Sequence, residues 1–516
     1  MRFEALLEQP FGSIPDLIAC HARERPAQPA LIQDARSLDF AGLERLMDRV
    51  AAALQRDGLV PGQSIAICAT TSIEYAAVFL GALRAGVVVA PLPPSATPES
   101  LALMLSDCDA KLLFLDRASA ASVPESVQVK RIALDAGPAG AALESWLAPV
   151  DVRPERVTFE PEAPFNIIYS SGTTGAPKGI VQPNRMRWAH VRRGRDSGYG
   201  PEAVTLISTP LYSNTTLVSF FPGIALGGSL VLMAKFDAAQ FLAKAQQQRV
   251  THAMLVPVQY QRIMDSPALA EADLSSFRMK FCTSAPFSAA LKARIQARWP
   301  GGLLEYYGMT EGGGTCVLAA HDFPNKLHTV GKPAPEHDIR LIDEQGREVA
   351  QGEAGEVVGY SPLATMLGYH GQEEKTREAV WYDATGRRFI RTGDVGRFDS
   401  EGFLTLLDRK KDLIITGGFN VYPSDLEAVL HEHPAVQEAA VVGVRSAAWG
   451  ETPVAFVVLA SGAQCEAEDL RGWANGRLGK TQRLSVVLFV SDLPRSAIGK
   501  VLKRELRERY ESASAS

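Results

Sequence analysis

Between Phe165 and Tyr307 the chain alternates short apolar runs with longer amphipathic stretches. Phe165–Tyr169, Val204–Ser208, Ser229–Met233, His252–Val256, Met279–Thr283 and Leu303–Tyr307 have the length and composition of buried strands. Asp237 is placed to cap a helix over Ala238–Gln248, whose apolar residues include Phe241 and Leu242. This alternation predicts a mostly parallel sheet covered by helices. Helix Ala41–Leu54, strand Ser64–Ala69 and helix Ile73–Ala85 repeat the theme, so two α/β subdomains are expected. After Asn325, strand-length pieces rich in glycine (Asp338–Ile342, Gly355–Gly359, Phe403–Leu407) predict a small β-subdomain. Beyond Asp408, helix Pro423–Glu432, strands Val436–Val444 and Pro453–Ala460 and a basic helical tail make an α+β unit of roughly 105 residues, an ordinary domain size. The expected fold class is α/β. A large N-terminal domain (1–408) of two α/β subdomains plus a β-subdomain precedes a small α+β C-terminal domain (409–516), with a hinge at Asp408–Lys411.

Length agrees with this division, because 516 residues exceed one ordinary compact core. Lys plus Arg number 53 against 58 Asp plus Glu, a net charge of −5, which argues against a nucleic-acid partner but allows a local basic site. Cys20, Cys68, Cys108, Cys282, Cys316 and Cys465 lie far apart with no CxxC pair, so neither a disulfide framework nor a zinc site is expected. Reduced thiols point to the cytoplasm. The first residues carry acids inside their only apolar stretch, so no signal peptide is expected. No apolar run approaches the ~20 residues that cross a bilayer.

Chemistry concentrates first in Tyr169-Ser170-Ser171-Gly172-Thr173-Thr174-Gly175-Ala176-Pro177-Lys178-Gly179, which follows a predicted strand. Glycines let a backbone approach an anion, hydroxyls and amides donate to it, and Lys178 adds charge. A solvent-exposed turn is the bland alternative. The spacing from Gly172 to Lys178 does not fit G-x-x-x-x-G-K-[ST], which excludes a P-loop NTPase.

Three further motifs follow in order: Tyr307-Gly308-Met309-Thr310-Glu311; Arg391-Thr392-Gly393-Asp394 with Asp408-Arg409-Lys410-Lys411-Asp412; and Pro494-Arg495-Ser496-Ala497-Ile498-Gly499-Lys500. Together with Ser170–Gly179 they resemble the adenylate-forming superfamily of acyl-CoA synthetases, luciferases and peptide-synthetase adenylation domains. The resemblance covers essentially the whole chain. It implies an AMP-forming carboxylic acid–CoA ligase using ATP, coenzyme A and Mg2+, a small-molecule acid as substrate, and a monomer or homodimer with no membrane span.

The resemblance also implies roles. Ser170, Ser171, Gly172, Thr173, Thr174, Gly175 and Lys178 would cradle phosphate, with Ser284, Ala285 and Pro286 also binding ATP or AMP. Tyr307 offers a flat face on which adenine can stack, an attraction of about 1–3 kcal/mol for aromatic–base pairs. Thr310 would donate to phosphate, and Glu311, a hard oxygen ligand, would hold the metal. Asp394 would accept both ribose hydroxyls, and Arg409 would contact ribose and phosphate. Lys500 would approach the carboxylate and α-phosphate, where a positioned cation offsets the repulsion between two anions. Lys411 would be the hinge of a mobile C-terminal domain, and Gly417, Gly418 and Phe419 would line the coenzyme A channel. Each residue alone has a plainer reading: a core tyrosine, a surface or turn carboxylate, or a basic helix continuing through Lys503, Arg504 and Arg507.

The acyl pocket is where the pattern departs. Tyr212, Ser213, Asn214, Gly308, Met309, Gly312, Gly313 and Gly314 would border it. Ser213 stands where relatives carry histidine or a large aromatic, and the aspartate with which amino-acid-activating domains hold an α-amino group is lacking. Three glycines and Ser213 predict room for a ring, hence an aromatic acid of benzoate or hydroxycinnamate type. Alternatives are a medium- or long-chain fatty acid, or loading of a carrier protein. The glycines could instead serve only backbone geometry.

Overall fold

The structure, a computed structural model, describes residues 2–170, 177–416, 419–446, 449–479, 482–496 and 499–514, with Ser170, Phe419, Asn420 and Ser514 described by backbone alone. Two compact units emerge. One comprises Met1–Leu327, Pro333–Asp338 and Gly359–Ile390, and the other His328–Lys332, Ile339–Val358 and Arg391–Ser516.

The first unit holds two sheets, as the repeated α/β rhythm predicts. In one, strands run in the order Gly368–Tyr369, Lys178–Pro183, Pro164–Ser170, Val88–Pro91, Ser64–Cys68, Leu112–Leu115, Lys130–Ala133, Ala141–Ala142. Its interior pairings are parallel, while Pro164–Ser170 (β1), Lys178–Pro183 (β2) and Gly368–Tyr369 close one edge antiparallel. Helices capped by side chains pack on it. Asp39 accepts from the Gly42 amide at 2.7 Å at the start of Phe40–Arg56, and Ser72 from the Tyr75 amide at 3.1 Å at the start of Ile73–Arg84.

Two helices, α1 (Asn184–Asp196) and α2 (Asn214–Ala225), flank the first strand that the chain gives the other sheet after residue 183. That sheet runs from Lys332–Pro333 and Cys316–Ala319 through β4 (Gly302–Tyr307), β3 (Met279–Cys282), His252–Leu255, Val204–Ile207, Ser229–Leu232 and Pro29–Gln33 to Arg36–Asp39. Again the interior is parallel, while Cys316–Ala319 and Arg36–Asp39 pair antiparallel with their inner neighbours. Helix Ala238–Gln247 is capped by Asp237, which accepts from the Gln240 amide at 2.9 Å, as expected.

In the second unit β5 (Arg388–Phe398) continues beyond Arg391 to pair antiparallel with β6 (Leu404–Arg409), setting Asp394 opposite Arg409. Further on, Phe419–Val421, Ile414–Thr416, Gly450–Leu459 and Val436–Ser446 form a sheet, with Val486–Phe489 added parallel to Gly450–Leu459. Helices Pro423–His431 and Ala467–Asn475 cover it, and Leu426, Leu430, Val441, Val457 and Leu470 fill its core. All six cysteines are free. No described helix is long and apolar enough to cross a membrane.

Candidate active site

In the first unit the parallel strands of the second sheet deliver their carboxyl ends to one edge, the side on which open α/β sheets bind ligands. β3 stops at Cys282 and Ser284 follows with φ 83°, in the left-handed region that a non-glycine residue rarely occupies. Its hydroxyl hydrogen-bonds Thr215 in the first turn of α2. Ala285 is half-buried and Pro286 exposed beside it. β4 ends at half-buried Tyr307, paired with Cys316, so Gly308 to Glu311 emerge at the same edge. From beneath, buried Lys292 and Glu305 hold β4 as an ion pair; burial pushes the Glu305 carboxyl up to about 7, against the pull of Lys292.

Glu311 and Lys178 meet through a residue the sequence reading did not single out. The Tyr369 hydroxyl donates to Glu311 Oε1 at 2.9 Å, and Lys178 Nζ lies 5.1 Å from the centre of the Tyr369 ring. Tyr369 is positioned by pairing with Ile180 of β2, and the Met366 amide donates to the Glu311 carbonyl at 2.8 Å. Burial, and then the Glu311 charge, raise the Tyr369 phenol, so it remains the donor. One carboxylate beside the Thr310 hydroxyl suits Mg2+, which ordinarily takes one or two protein carboxylates and completes its shell with water and substrate phosphate.

Behind Thr310 lies a second unforeseen group. Gln182 Nε2 donates to the Thr310 carbonyl at 2.7 Å. Wholly buried Arg187 of α1 donates to Asn166 Oδ1 at 3.1 Å, to Asn214 Oδ1 at 2.9 Å and to Gln182 Oε1. These three partners are neutral amides, Arg187 Nη1 lies 3.5 Å from His190 Nδ1, and burial draws the guanidinium down to about 9. Asn214 is thereby anchored as the first residue of α2. Buried Ser213 occupies the N-cap position without capping the helix by its side chain. Tyr212 faces Ser95 and Cys68, and burial raises its phenol.

The glycine run does not open space as its missing side chains suggest. A Cβ on Gly312 would lie 2.2 Å from the Ala364 carbonyl oxygen, and one on Gly313 2.6 Å from the Ile390 side chain. Their φ values, 74° and 86°, are left-handed. At these two positions glycine serves backbone geometry and close packing, and Met309 packs against Ile180, Met366 and Ile390. Room for an acyl group therefore finds no support in Gly312 or Gly313.

The second unit gathers its own set. Arg409 Nε lies 3.1 Å from Asp394 Oδ1 across β5 and β6. Lys500 sits in a turn where the Ser496 amide donates to the Lys500 carbonyl at 2.8 Å and the Lys500 amide to Ser496 Oγ at 3.2 Å. Burial first, then the Arg409 charge, draws the Lys500 ammonium down to about 8; Asp394 and Asp412 act the other way, and Lys411 adds to the lowering. The predicted catalytic lysine, ribose aspartate, phosphate arginine and hinge lysine thus share one electrostatic neighbourhood. Ser171, Gly172, Thr173, Thr174, Gly175, Gly417 and Gly418 lie outside the described residues, and nothing of the Ser170 or Phe419 side chain is described.

The chain matches the AMP-binding enzyme model over residues 18–370 and the AMP-binding enzyme C-terminal domain over residues 425–500. It is 33% identical over 512 residues to the fatty acid–[acyl-carrier-protein] ligase ScoC of Streptomyces coeruleorubidus, covering 96% of each chain. It is 32% identical to a feruloyl-CoA synthase of an Amycolatopsis species, covering 95% of this chain and 97% of that one. ATP-bound MatB from Rhodopseudomonas palustris has a similar structure, with TM-score 0.84 and 30% identity over 97% of this chain and 99% of the other. The chain belongs to the AMP-binding, adenylate-forming enzyme family. It is an AMP-forming acid–CoA ligase whose cofactors are ATP, coenzyme A and Mg2+.

Proposed function

We propose that this ligase activates an aromatic acid of benzoate or hydroxycinnamate type. The observation that carries the reading is half-buried Tyr306, next in sequence to the adenylation motif and at the end of a column of near-parallel rings. Tyr306, immediately before Tyr307, stacks on Phe281 at 5.9 Å and 23°, Phe281 on Tyr199 at 5.7 Å and 10°, and Tyr199 on His252 at 4.6 Å and 24°. Phe281, Tyr199 and His252 are buried in the core, which leaves half-buried Tyr306 as the ring that can meet a flat ligand, where offset stacking gains about 0.5–1.5 kcal/mol beyond area burial. Ser213, small where relatives carry a large residue, points the same way, as does the similarity to a feruloyl-CoA synthase.

The acid's carboxylate oxygen attacks the α-phosphorus of ATP, and pyrophosphate leaves. The coenzyme A thiol then attacks the acyl carbonyl, and AMP leaves. Lys500 offsets the meeting of two anions in the first step, Asp394 and Arg409 hold ribose and phosphate, and Ser170–Lys178 cradle the phosphates. Residues 409–516 act as the mobile domain about Lys411, and Gly417, Gly418 and Phe419 line the thiol's path. The similarity to ScoC favours a second reading, a fatty acid transferred to a carrier protein.

AMP release measured over benzoates, hydroxycinnamates and C6–C16 fatty acids, with coenzyme A or a phosphopantetheinylated carrier as acceptor, decides between them. The aromatic reading expects the highest kcat/KM for a ring-bearing acid with coenzyme A. Turnover confined to fatty acids would overturn the substrate, and turnover confined to the carrier would overturn the acceptor. Ser213→Phe should cost the bulkiest accepted acid about 5- to 150-fold, the range for overfilling a packed space, and small acids less. Equal losses would remove Ser213 from the pocket.

A further inference from the structure

One side of α1 carries Arg187, His190 and Arg193, three residues apart and so on neighbouring turns. His190 faces Arg187, Arg193 and His337, all of them basic. Arg193 faces the hydroxyl of Tyr306, which also lies 3.5 Å from Ser197 Oγ. Asp196, exposed at the end of α1, acts on Tyr306. Among the described residues no carboxylate pairs with Arg187 or Arg193, and Arg193 has no hydrogen-bond acceptor. His337 offers Nε2 to Ser361 Oγ at 3.3 Å, but its buried Nδ1 has no partner among the described residues.

The arrangement is unfavourable for the protein alone. A guanidinium removed from water without a counter-charge is costly. Burial lowers Arg187, Arg193, His190 and His337 alike, and their mutual repulsion lowers the histidines further. Arg187 is hydrogen-bonded to three amide oxygens and lies 3.5 Å from His190 Nδ1, whereas Arg193 is only half-buried and has no hydrogen-bond acceptor among the described residues. Arg193 faces Tyr306, the ring that stacks on Phe281 and immediately precedes Tyr307.

We propose that the acid activated by this enzyme bears a second, distal oxyanion group, a carboxylate or sulfonate, bound by Arg193 with His190 and His337 beside it. This deepens the acid-activation reading and rests on it. The reacting carboxylate lies toward Thr310 and Glu311, while the distal anion supplies the charge that α1 lacks. An anion there would draw protons onto the imidazoles and stabilise all four groups.

ATP–pyrophosphate exchange with matched acids tests it: terephthalate and 4-sulfobenzoate against 4-methylbenzoate, and octanedioate against octanoate. The distal-anion member of at least one set should exchange with the higher kcat/KM. Arg193→Gln should lower that value by about 30-fold or more, as for loss of one partner of a buried charge pair, while leaving the neutral acid within about threefold. Arg193→Lys should restore part of the preference. The preferred acid alone, without ATP, should raise the wild-type melting temperature and not that of Arg193→Gln. Preference of wild type for the neutral member throughout, or equal loss of both members in Arg193→Gln, would overturn the inference and leave acid activation standing. Exchange with none of these acids would overturn acid activation of this kind and the inference with it.

Discussion

One cluster of charge in each unit shows the two ways a fold can treat it, although the first unit also holds compensated pairs such as Lys292–Glu305. In the second, cations and anions are interleaved: Arg409 lies 3.1 Å from Asp394, Arg391 and Lys410 share Glu356 at 3.1 and 3.2 Å, Lys503 meets Glu427 at 2.9 Å and Arg507 meets Asp412 at 2.6 Å. In the first, Arg187, His190, Arg193 and His337 face one another with no acid paired to either guanidinium among the described residues. A compensated network fixes geometry and responds little to a ligand's charge. An uncompensated one stays under electrostatic tension until an anion arrives. The difference separates groups that position from groups that await a substrate. Lys500 lies between these cases, drawn down by Arg409 and Lys411 and supported by Asp394 and Asp412.

The largest effect should come from removing that intermediate charge. Lys500→Ala should lower adenylate formation by about 10²–10³, the usual loss for one preorganised electrostatic group, and spare thioester formation from supplied acyl-adenylate. Single-turnover assays of each half-reaction check this, and equal damage to both would remove Lys500 from the first step. With its ammonium drawn down to about 8, Lys500 is cationic below that pH and neutral above it. Adenylation should therefore fall as pH rises through about 8, whereas the second half-reaction should lack that limb.

Asp394→Asn comes next and tests whether compensation is what keeps the second unit poised. The aspartate supports the Lys500 charge, so without it the alkaline limb should move to lower pH. Loss of hydrogen bonds to a charged group, about 1.5–3 kcal/mol, should also raise the KM for ATP by roughly 10- to 150-fold. A limb that stays in place would mean that Asp394 binds ribose without tuning the lysine.

The sequence made some of this readable and concealed the rest for physical reasons. Helix Ala238–Gln247 was legible because Asp237 caps it and an apolar stripe marks its inner face. Helix α2 carries no such stripe: ten of its residues are buried, Pro222 lies inside it, and nothing alternates. Helix α1 carries five arginines from Arg185 to Arg195 and drew no expectation from its sequence, yet Arg187 is wholly buried, received by three side-chain amides. The glycine run was legible as glycine but not as packing, since only the fold brings Ala364 and Ile390 against Gly312 and Gly313. Motif residues could be placed by resemblance; their supports could not. Tyr369 lies 58 residues from the Glu311 it contacts, and no local pattern links them.

That contact supplies the smallest effect and the finest test of the comparison. In the first unit the motif carboxylate is held not by a cation but by a neutral phenol, 2.9 Å from Glu311 Oε1. Tyr369→Phe keeps the ring beneath Lys178 and removes only the hydroxyl. If Tyr369 merely packs, activity should be unchanged and only stability should move. If it positions Glu311, the carboxylate should meet its metal less well oriented, and the Mg2+ concentration for half-maximal adenylation should rise. A single hydrogen bond to a charged group sets the scale at roughly tenfold, with kcat at saturating Mg2+ changed less than threefold. Tyr369→Leu, which also removes the ring beneath Lys178, should add a rise in the KM for ATP. Adenylation titrated with Mg2+ at fixed ATP, in wild type and both variants, separates these cases. An unchanged Mg2+ dependence in Tyr369→Phe would mean that Glu311 is oriented by its backbone alone, through the Met366 amide that donates to its carbonyl at 2.8 Å.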